Sequence, residues 1–538
     1  MSLVRKVRVS RRDLLKQTGV ISAFGAASAI APSVASATML AAEGGQHKLP
    51  DHQGTAEDNL FTRIGVRPMI NGRGTFTIIS GSRSLPEVKQ AMYDASFYFV
   101  HLDEMMDGIG AQLGKLMGAE WGIATTGCEA AICLATVACM VGTNVEQSQS
   151  LPYIKKKDQV IIPKTSRNQY DFGVRMVGAE IVEVETIDEV AAKISPRTAM
   201  IYIMSNPGNA SGPMSIKNIC AVAKQKGVPV FVDAAAEEPI SPNIHIQNGA
   251  TLVGYSGGKC LRGPQSSGIM LGQKDLCKAA YFQAAPHHNY GRAFKCSKEE
   301  AMGILAAVQT WYKRDHAAEQ KMWRVWLKTI EDRMKGLPSV TCTYHEPEDL
   351  SNHAPTLEVA WDANVLKITG TELSARLYEG TPRIAIGGAR GKRPEMMQSS
   401  ITVMPYMMDA GDEKIIADTV YKALTNPGHY ENPVIPTGTP EKVEGDWAVT
   451  IHYPRGTGEQ KFTLRQNGND ITGNHIGEIY KAPMKGSIHA DQLELTSGMA
   501  VGGNTIHWTF KGKVEGNEAS GSVNMGEYGD ATWKAIRA

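Results

Sequence analysis

Between residues 60 and 427 the chain alternates short apolar runs with amphipathic stretches, a pattern that few folds can satisfy. The runs are DQVIIP, AEIVEVE, AMIYIMS, VPVFVDA, TLVGYS and SGIMLG. Helical segments such as SIKNICAVAKQKG, closed by Gly227, lie between several of them. A strand apolar along its whole length must be covered on both faces, because a strand with one wet face alternates. Strands of that kind separated by helices predict an α/β domain with a mainly parallel sheet. From Lys298 to Leu337 the pattern predicts long helix leading out of that domain. A smaller α+β portion follows, with strands in TLEVAWD and RIAIGG and a helix near GTELSARLYEG.

The stretch TNPGHYENPVIPTGTPEKVEG has no periodicity and is rich in Pro and Gly, so it reads as a connector. Beyond it, segments such as GDWAVTIHYP and NTIHWTFKGKVEGNEASGSV alternate apolar and polar residues between turn signals. That period of two predicts an antiparallel module, a small barrel or a sandwich. GSIHADQLEL and GKVEGNEASGSV look like two versions of one strand-turn-strand unit.

The chain begins differently. SRRDLLKQTGVISAFGAASAIAPSVASA joins paired arginines, Arg11 and Arg12, to a short Ala- and Gly-rich apolar stretch ending Ala-x-Ala at Ala35 to Ala37. This is the layout of a twin-arginine export signal cleaved after about Ala37, too short and weakly apolar for a membrane anchor. The expected division is signal 1–37, linker 38–60, large domain 61–320, small domain 321–426, connector 427–443 and β module 444–538. The expected destination is the periplasm or the extracellular space, with no membrane attachment after cleavage.

Charge excludes one class of partner. The 56 basic and 55 acidic residues nearly cancel, which leaves no electrostatic footprint for nucleic acid. The eight cysteines show neither disulfide spacing nor a C-x-x-C pair, so buried thiols and no metal site are expected. Twin-arginine export carries folded proteins, which reconciles free thiols with an oxidising destination and lets a cofactor be installed first.

The most pointed motif is VGYSGGKCLRGPQSSGIMLG, residues 253–272, where Lys259 sits among glycines and serines between two apolar strands. A Walker loop is excluded, because position 253 is Val and Cys260 stands where Ser or Thr is required. GIGAQLG at 108–114 is a poor nicotinamide fingerprint. An imine-forming lysine is the alternative. Pyridoxal phosphate needs such a lysine, an acid beside the pyridine nitrogen and a helix N-terminus for its phosphate. Asp233 ends the apolar strand VPVFVDA and supplies the acid. WGIATTGCEAAICLATVAC gives a strand, then Thr126, Gly127 and Cys128, then an Ala-rich helix suited to a phosphate. Ser256 is a further phosphate donor. In KTSRNQYDFG a side chain is expected over the ring face; Asn168, Gln169 and Tyr170 are all placed for it, and Gln169 is carried as the candidate. Taken singly, each feature has an ordinary reading as a surface charge, a helix cap or a turn. Their order along one α/β domain is what joins them.

INGRGTFTIISGSRSLPEVKQAM, GAEWGIATTGCEAAICLA, GVPVFVDAAAE, YSGGKCLRGPQSSGIMLG and YGRAFKCSKEEAMGILAAV together resemble the fold-type I pyridoxal-phosphate enzymes. The branch is that of selenocysteine synthase and D-glucosaminate-6-phosphate ammonia lyase, and the likeness runs from about Arg67 to Leu424. It implies the fold-type I transferase fold, here with an appended all-β barrel or sandwich. It makes Lys259 the Schiff-base lysine, Asp233 the partner of the pyridine nitrogen, and Thr126, Gly127 and Cys128 the phosphate holders. It also implies Arg383 as a grip for a substrate carboxylate, Arg292 as an anion contact near a neighbouring subunit, and a homodimer or higher homo-oligomer. The export signal and the β module depart from that branch. Transfer of selenium onto a charged tRNA makes little sense outside the cytoplasm. The expected function is therefore a lyase eliminating and deaminating a small amino acid or amino-sugar acid. Racemase, transaminase, selenium- or sulfur-transferase and non-catalytic scaffold are the alternatives.

Overall fold

A computed structural model describes residues 57–538, so the twin-arginine segment and most of the 38–60 stretch lie outside the described residues. The first strand, β1 (Ile70–Gly72), belongs to a small sheet completed much later in the chain. The large sheet comprises β2 (Trp121–Thr125), β3 (Gln159–Pro163), β4 (Glu180–Val184), β5 (Thr198–Met204), β6 (Val230–Asp233), β7 (Leu252–Ser256) and β8 (Gly268–Gly272). Their spatial order is β2-β8-β7-β6-β5-β3-β4. From β4 through β3, β5 and β6 to β7 every pairing is parallel; β8 alone runs against its neighbours β7 and β2. Strands β2, β6 and β8 are buried at every residue, the consequence of helices on both faces.

The small sheet has the order β1-β11-β12-β10-β9, with β9 (Thr341–His345), β10 (Thr356–Trp361), β11 (Ile384–Lys392) and β12 (Glu395–Val403). Strand β1 pairs in parallel with β11, so the N-terminal segment is stitched into the small domain before the chain enters the large one. The helix His316–Met334 leads out of the large domain.

After the connector come eight strands: β13 (Gly445–His452), β14 (Thr457–Asn467), β15 (Asp470–Ile476), β16 (Lys481–His489), β17 (Gln492–Val501), β18 (Asn504–Glu515), β19 (Glu518–Asn524) and β20 (Asp530–Arg537). Each pairs antiparallel with the next, and β13 pairs with β20, so the module is a closed up-and-down barrel rather than a sandwich. Closure removes the free edges that an open sheet would expose. The two similar strand-turn-strand units are the β16–β17 and β18–β19 hairpins. The barrel has its own apolar core, separate from that of the α/β domains.

All eight cysteines are free, six of them buried. Among the described residues no helix is long and apolar enough to cross a membrane. No group of three or more His, Cys, Asp or Glu side chains among them is arranged to hold a metal.

The barrel core contains a fully buried histidine, His475, with the buried Ser497 beside it. Its Nε2–H donates to Gln460 Oε1 at 2.6 Å and its Nδ1 accepts from the Ser497 hydroxyl at 2.7 Å. Phe462, Trp508 and Phe510 pack around the ring. Burial among apolar rings disfavours the cation and pushes the imidazole down to about 4 from 6.5. Above pH 6.5 the folded and unfolded forms are both neutral at this group. As pH falls towards 4 only the unfolded chain takes up the proton, so stability is lost across that window. The loss expected is on the order of 3 kcal/mol. Denaturant unfolding of the barrel between pH 7 and 4 should show this slope, and His475→Gln should flatten it. An equal slope in the variant would assign the loss to other groups.

Candidate active site

Parallel strands expose the residues at their carboxyl ends in one crevice, and that edge is where this chain gathers its polar side chains. Asp233 closes β6 and is opposite Gly254 of β7. One row further out, Thr125, Gly268 and Ser256 lie side by side across β2, β8 and β7. Strand pairing alone therefore brings the TTGC turn, Asp233 and Ser256 to one edge.

Asp233 is 4% exposed and accepts three hydrogen bonds. The Cys128 thiol donates to Oδ1 at 3.4 Å, the Ala235 amide to Oδ1 at 3.0 Å, and the Tyr202 hydroxyl to Oδ2 at 2.8 Å. Burial, followed by the Asp233 carboxylate, pushes both the Cys128 thiol and the Tyr202 phenol well above their ordinary ranges, so both remain donors. Tyr202 in turn accepts from Asn168 Nδ2 at 3.1 Å. The carboxylate is thus fixed by donors on β5, on the helix that follows β2 and just beyond β6.

That helix, Cys128–Val141, starts at Gly127 with φ 90° and ψ 167°, a conformation reserved for glycine, and no side chain caps it. A β-carbon placed on Gly127 would meet nothing within 4 Å, so the requirement is conformational and the space beside the turn is open. The Thr125 hydroxyl donates to the Gly127 carbonyl at 2.8 Å and pins the turn. The first amide bonded back within the helix is that of Ala131, to Gly127. An uncapped helix start with a facing open space suits a phosphate dianion. Gly268 holds the opposite wall close, since a β-carbon there would lie 2.6 Å from the Gly127 carbonyl carbon.

Lys259 follows three residues after Ser256 on a turn drawn tight by Gly257 and Gly258. A β-carbon at Gly257 would strike Ser267 Oγ at 2.1 Å, and one at Gly258 would strike the Gln265 side chain at 2.3 Å. The glycines of the motif thus press the loop against its own return strand and present the lysine. Lys259 is half-buried, and its charge is felt by the Cys128 thiol beside Asp233. Its ammonium makes no hydrogen bond or ion pair among the described residues. An unpaired amine, a donor-held carboxylate and an open helix start are what the aldehyde, ring nitrogen and phosphate of pyridoxal phosphate require, and the residues present fit it.

The remaining residues singled out by sequence are placed less centrally. Thr126 is half-buried in the turn, and Ser256 is half-buried with its amide donating to Ala235 O at 3.2 Å. Gln169 is exposed at the start of a short 3-10 turn, while the neighbouring Asn168 is buried and tied to Tyr202, so contact with the Asp233 network falls to Asn168 instead. Arg383 is committed elsewhere. Its Nε donates to Tyr378 O at 2.9 Å, its guanidinium lies 4.5 Å from the Tyr378 ring centre, and Glu379 is 3.7 Å away. Gripping a substrate would require these contacts to be given up. Arg292, in the loop after the helix Lys274–Gln283, has no side-chain partner among the described residues.

Tyr202 and Thr125 were not singled out from sequence. A hydroxyl inside the otherwise apolar run AMIYIMS was the available signal for Tyr202, and the parallel β5–β6 pairing turns it into a contact.

A lysine loop and a buried carboxylate carried at the ends of neighbouring strands is the arrangement of the fold-type I pyridoxal-phosphate enzymes, which this chain resembles. Residues 94–310 match the model of the Cys/Met metabolism PLP-dependent enzyme family. D-glucosaminate-6-phosphate ammonia lyase of Salmonella typhimurium is 25% identical over 370 residues, covering 66% of this chain and 96% of the relative. 5'-C-glycyluridine monooxygenase-decarboxylase of a Streptomyces species is 28% identical over 297 residues, covering 52% of this chain and 73% of the relative. A solved D-glucosaminate-6-phosphate ammonia-lyase structure superposes with TM-score 0.59 at 23% identity, covering 68% of this chain and 98% of its own; this likeness concerns the fold. The two relatives are named for different reactions, so similarity at this level does not choose between them.

Tyr202→Phe removes one donor from Asp233 and the acceptor of the Asn168 amide. It should lower unfolding stability by about 1–3 kcal/mol, the usual cost of leaving buried polar groups unpaired. Denaturant titration checks this, and an unchanged midpoint would remove Tyr202 from the network.

Proposed function

We propose that the protein is an exported pyridoxal-phosphate lyase that eliminates a β-substituent and ammonia from a small amino acid or amino-sugar acid. The observation that carries this reading is the unpaired Lys259 amine near a buried carboxylate held by three donors. The ammonia lyase matched over 96% of its length supports the reaction type and the substrate class.

When bound, pyridoxal phosphate supplies an imine-forming aldehyde and a ring that accepts the electron pair left at the substrate α-carbon. The free amides at the start of the helix Cys128–Val141 hold the phosphate, with Gly127 allowing close approach and the Ser256 hydroxyl adding a donor. Asp233 would pair with the ring nitrogen and keep it protonated. Lys259 anchors the cofactor, takes the α-proton as base, and returns a proton to the departing β-hydroxyl so that it leaves as water. Hydrolysis of the resulting unsaturated amine gives ammonia and a 2-oxo acid. Arg292 is available for a carboxylate or phosphate on the substrate.

The exposed consecutive side chains Tyr98, Phe99 and Val100 support a homo-oligomer, because an apolar run of this kind is normally covered. The paired Arg11 and Arg12 with the Ala35–Ala37 site support export to the periplasm or beyond.

The test is product analysis of the loaded, mature protein on 2-amino-3-hydroxy acids and amino-sugar acids, phosphorylated and not. Equal amounts of ammonia and 2-oxo acid are expected, with kcat about a hundredfold lower in Asp233→Asn. Inversion at the α-carbon with nitrogen retained, or nitrogen passed to an added 2-oxo acid, would overturn the lyase assignment.

A further inference from the structure

One turn of the barrel comes up against the loop beside the candidate site. Strands β17 and β18 are joined by the two-residue turn Gly502–Gly503, flanked by the Val501–Asn504 pair. A β-carbon at Gly503 would lie 2.0 Å from the Asn168 carbonyl oxygen, 2.3 Å from its amide nitrogen and 2.5 Å from its carbonyl carbon. One at Gly502 would lie 2.9 Å from Cζ and Nε of Arg175. Only a turn without side chains can approach so closely. The barrel's other glycine-bearing two-residue turns behave differently: β-carbons at Gly468 and Gly516 would meet nothing within 4 Å. Glycine in those turns answers to the backbone, since φ is +60° and +64°; at Gly503 it answers to a neighbour.

The neighbour is not an arbitrary surface. Asn168 donates to Tyr202, and Tyr202 donates to Asp233. Its carbonyl accepts from the Asp171 amide at 3.3 Å. The fully buried Asp171 carboxylate accepts from Arg167 at 2.6 Å and from Arg175 at 3.3 Å. The turn therefore rests on both ends of one hydrogen-bonded segment, 168–175, whose first residue is linked through Tyr202 to the Asp233 carboxylate. A closed barrel with its own core is a stiff support for such a contact.

We propose that the β17–β18 turn is a positioning element of the cofactor site, with Gly503 holding the Asn168 backbone so that the Asn168–Tyr202–Asp233 chain stays in place. The link to the cofactor rests on the pyridoxal-phosphate reading; the clamp itself does not. In the full mature chain, Gly503→Ala forces the turn away from Asn168. Gly516→Ala, strained in its backbone at φ +64° but facing nothing within 4 Å, is the control.

Hydrogen exchange on the unloaded protein should show faster exchange across 166–175 in Gly503→Ala and not in Gly516→Ala. After loading, Gly503→Ala should raise the dissociation constant for pyridoxal phosphate about tenfold, an effect readable by absorbance. It should also shift the pH midpoint of the visible band. Unchanged exchange would overturn the clamp. Faster exchange with unchanged affinity and band would make the turn a scaffold contact only and overturn its role in the site. If the wild-type protein takes up no pyridoxal phosphate, the cofactor reading fails while exchange still decides the clamp. If Gly503→Ala does not fold, exchange of 499–505 in the wild-type protein decides: slowing on addition of pyridoxal phosphate supports the proposal, and no change overturns it.

Discussion

The buried Asp233 carboxylate is the constraint around which the rest of this molecule is arranged. Taking a carboxylate out of water is costly unless donors replace the solvent, and no single element here supplies enough of them. The Tyr202 hydroxyl comes from β5, the Cys128 thiol from the first turn of the helix after β2, and an amide from Ala235 just beyond β6. Satisfying one anion thus fixes the uncapped helix start relative to the strand end that carries Asp233. Lys259 follows β7 on a loop whose glycines let it pack tightly against Gln265 and Ser267.

Much of this was legible because the chemistry demands rare residue types in a fixed chain order. The TTGC turn, the strand-end acid and the glycine-framed lysine are local signals, and the apolar runs that carry them read directly as covered strands. Tyr202 was not legible, since its role depends on the parallel pairing of β5 with β6, which no local pattern reports. The choice among Asn168, Gln169 and Tyr170 was likewise a question of orientation. The side chain that turns inward is Asn168, which bonds Tyr202, while Gln169 faces solvent. Arg383 shows the same limit, because a strand-end arginine beside Tyr378 and Glu379 has local partners that its motif does not reveal.

The barrel is where the chain departs from its relatives. The Salmonella lyase is matched over 96% of its length by 66% of this chain, which leaves the remaining third of this chain without a counterpart there. Period-two alternation announced an antiparallel module, and pairing of its first strand with its last decided between barrel and sandwich. Its one buried histidine is held neutral by apolar surroundings and two hydrogen bonds, so the module carries a pH liability of its own. The module has a separate core and sets a glycine turn against Asn168, whose side chain bonds Tyr202 of the Asp233 network.

The central claim is that Lys259 holds pyridoxal phosphate as an imine. The most direct test is borohydride reduction of the yellow, mature protein, followed by peptide mass mapping with Lys259→Ala alongside. A pyridoxyl group fixed on the peptide containing Lys259, and absent from the variant, is the expected result. A colourless protein that takes up no cofactor, or a label on another lysine, would contradict the account.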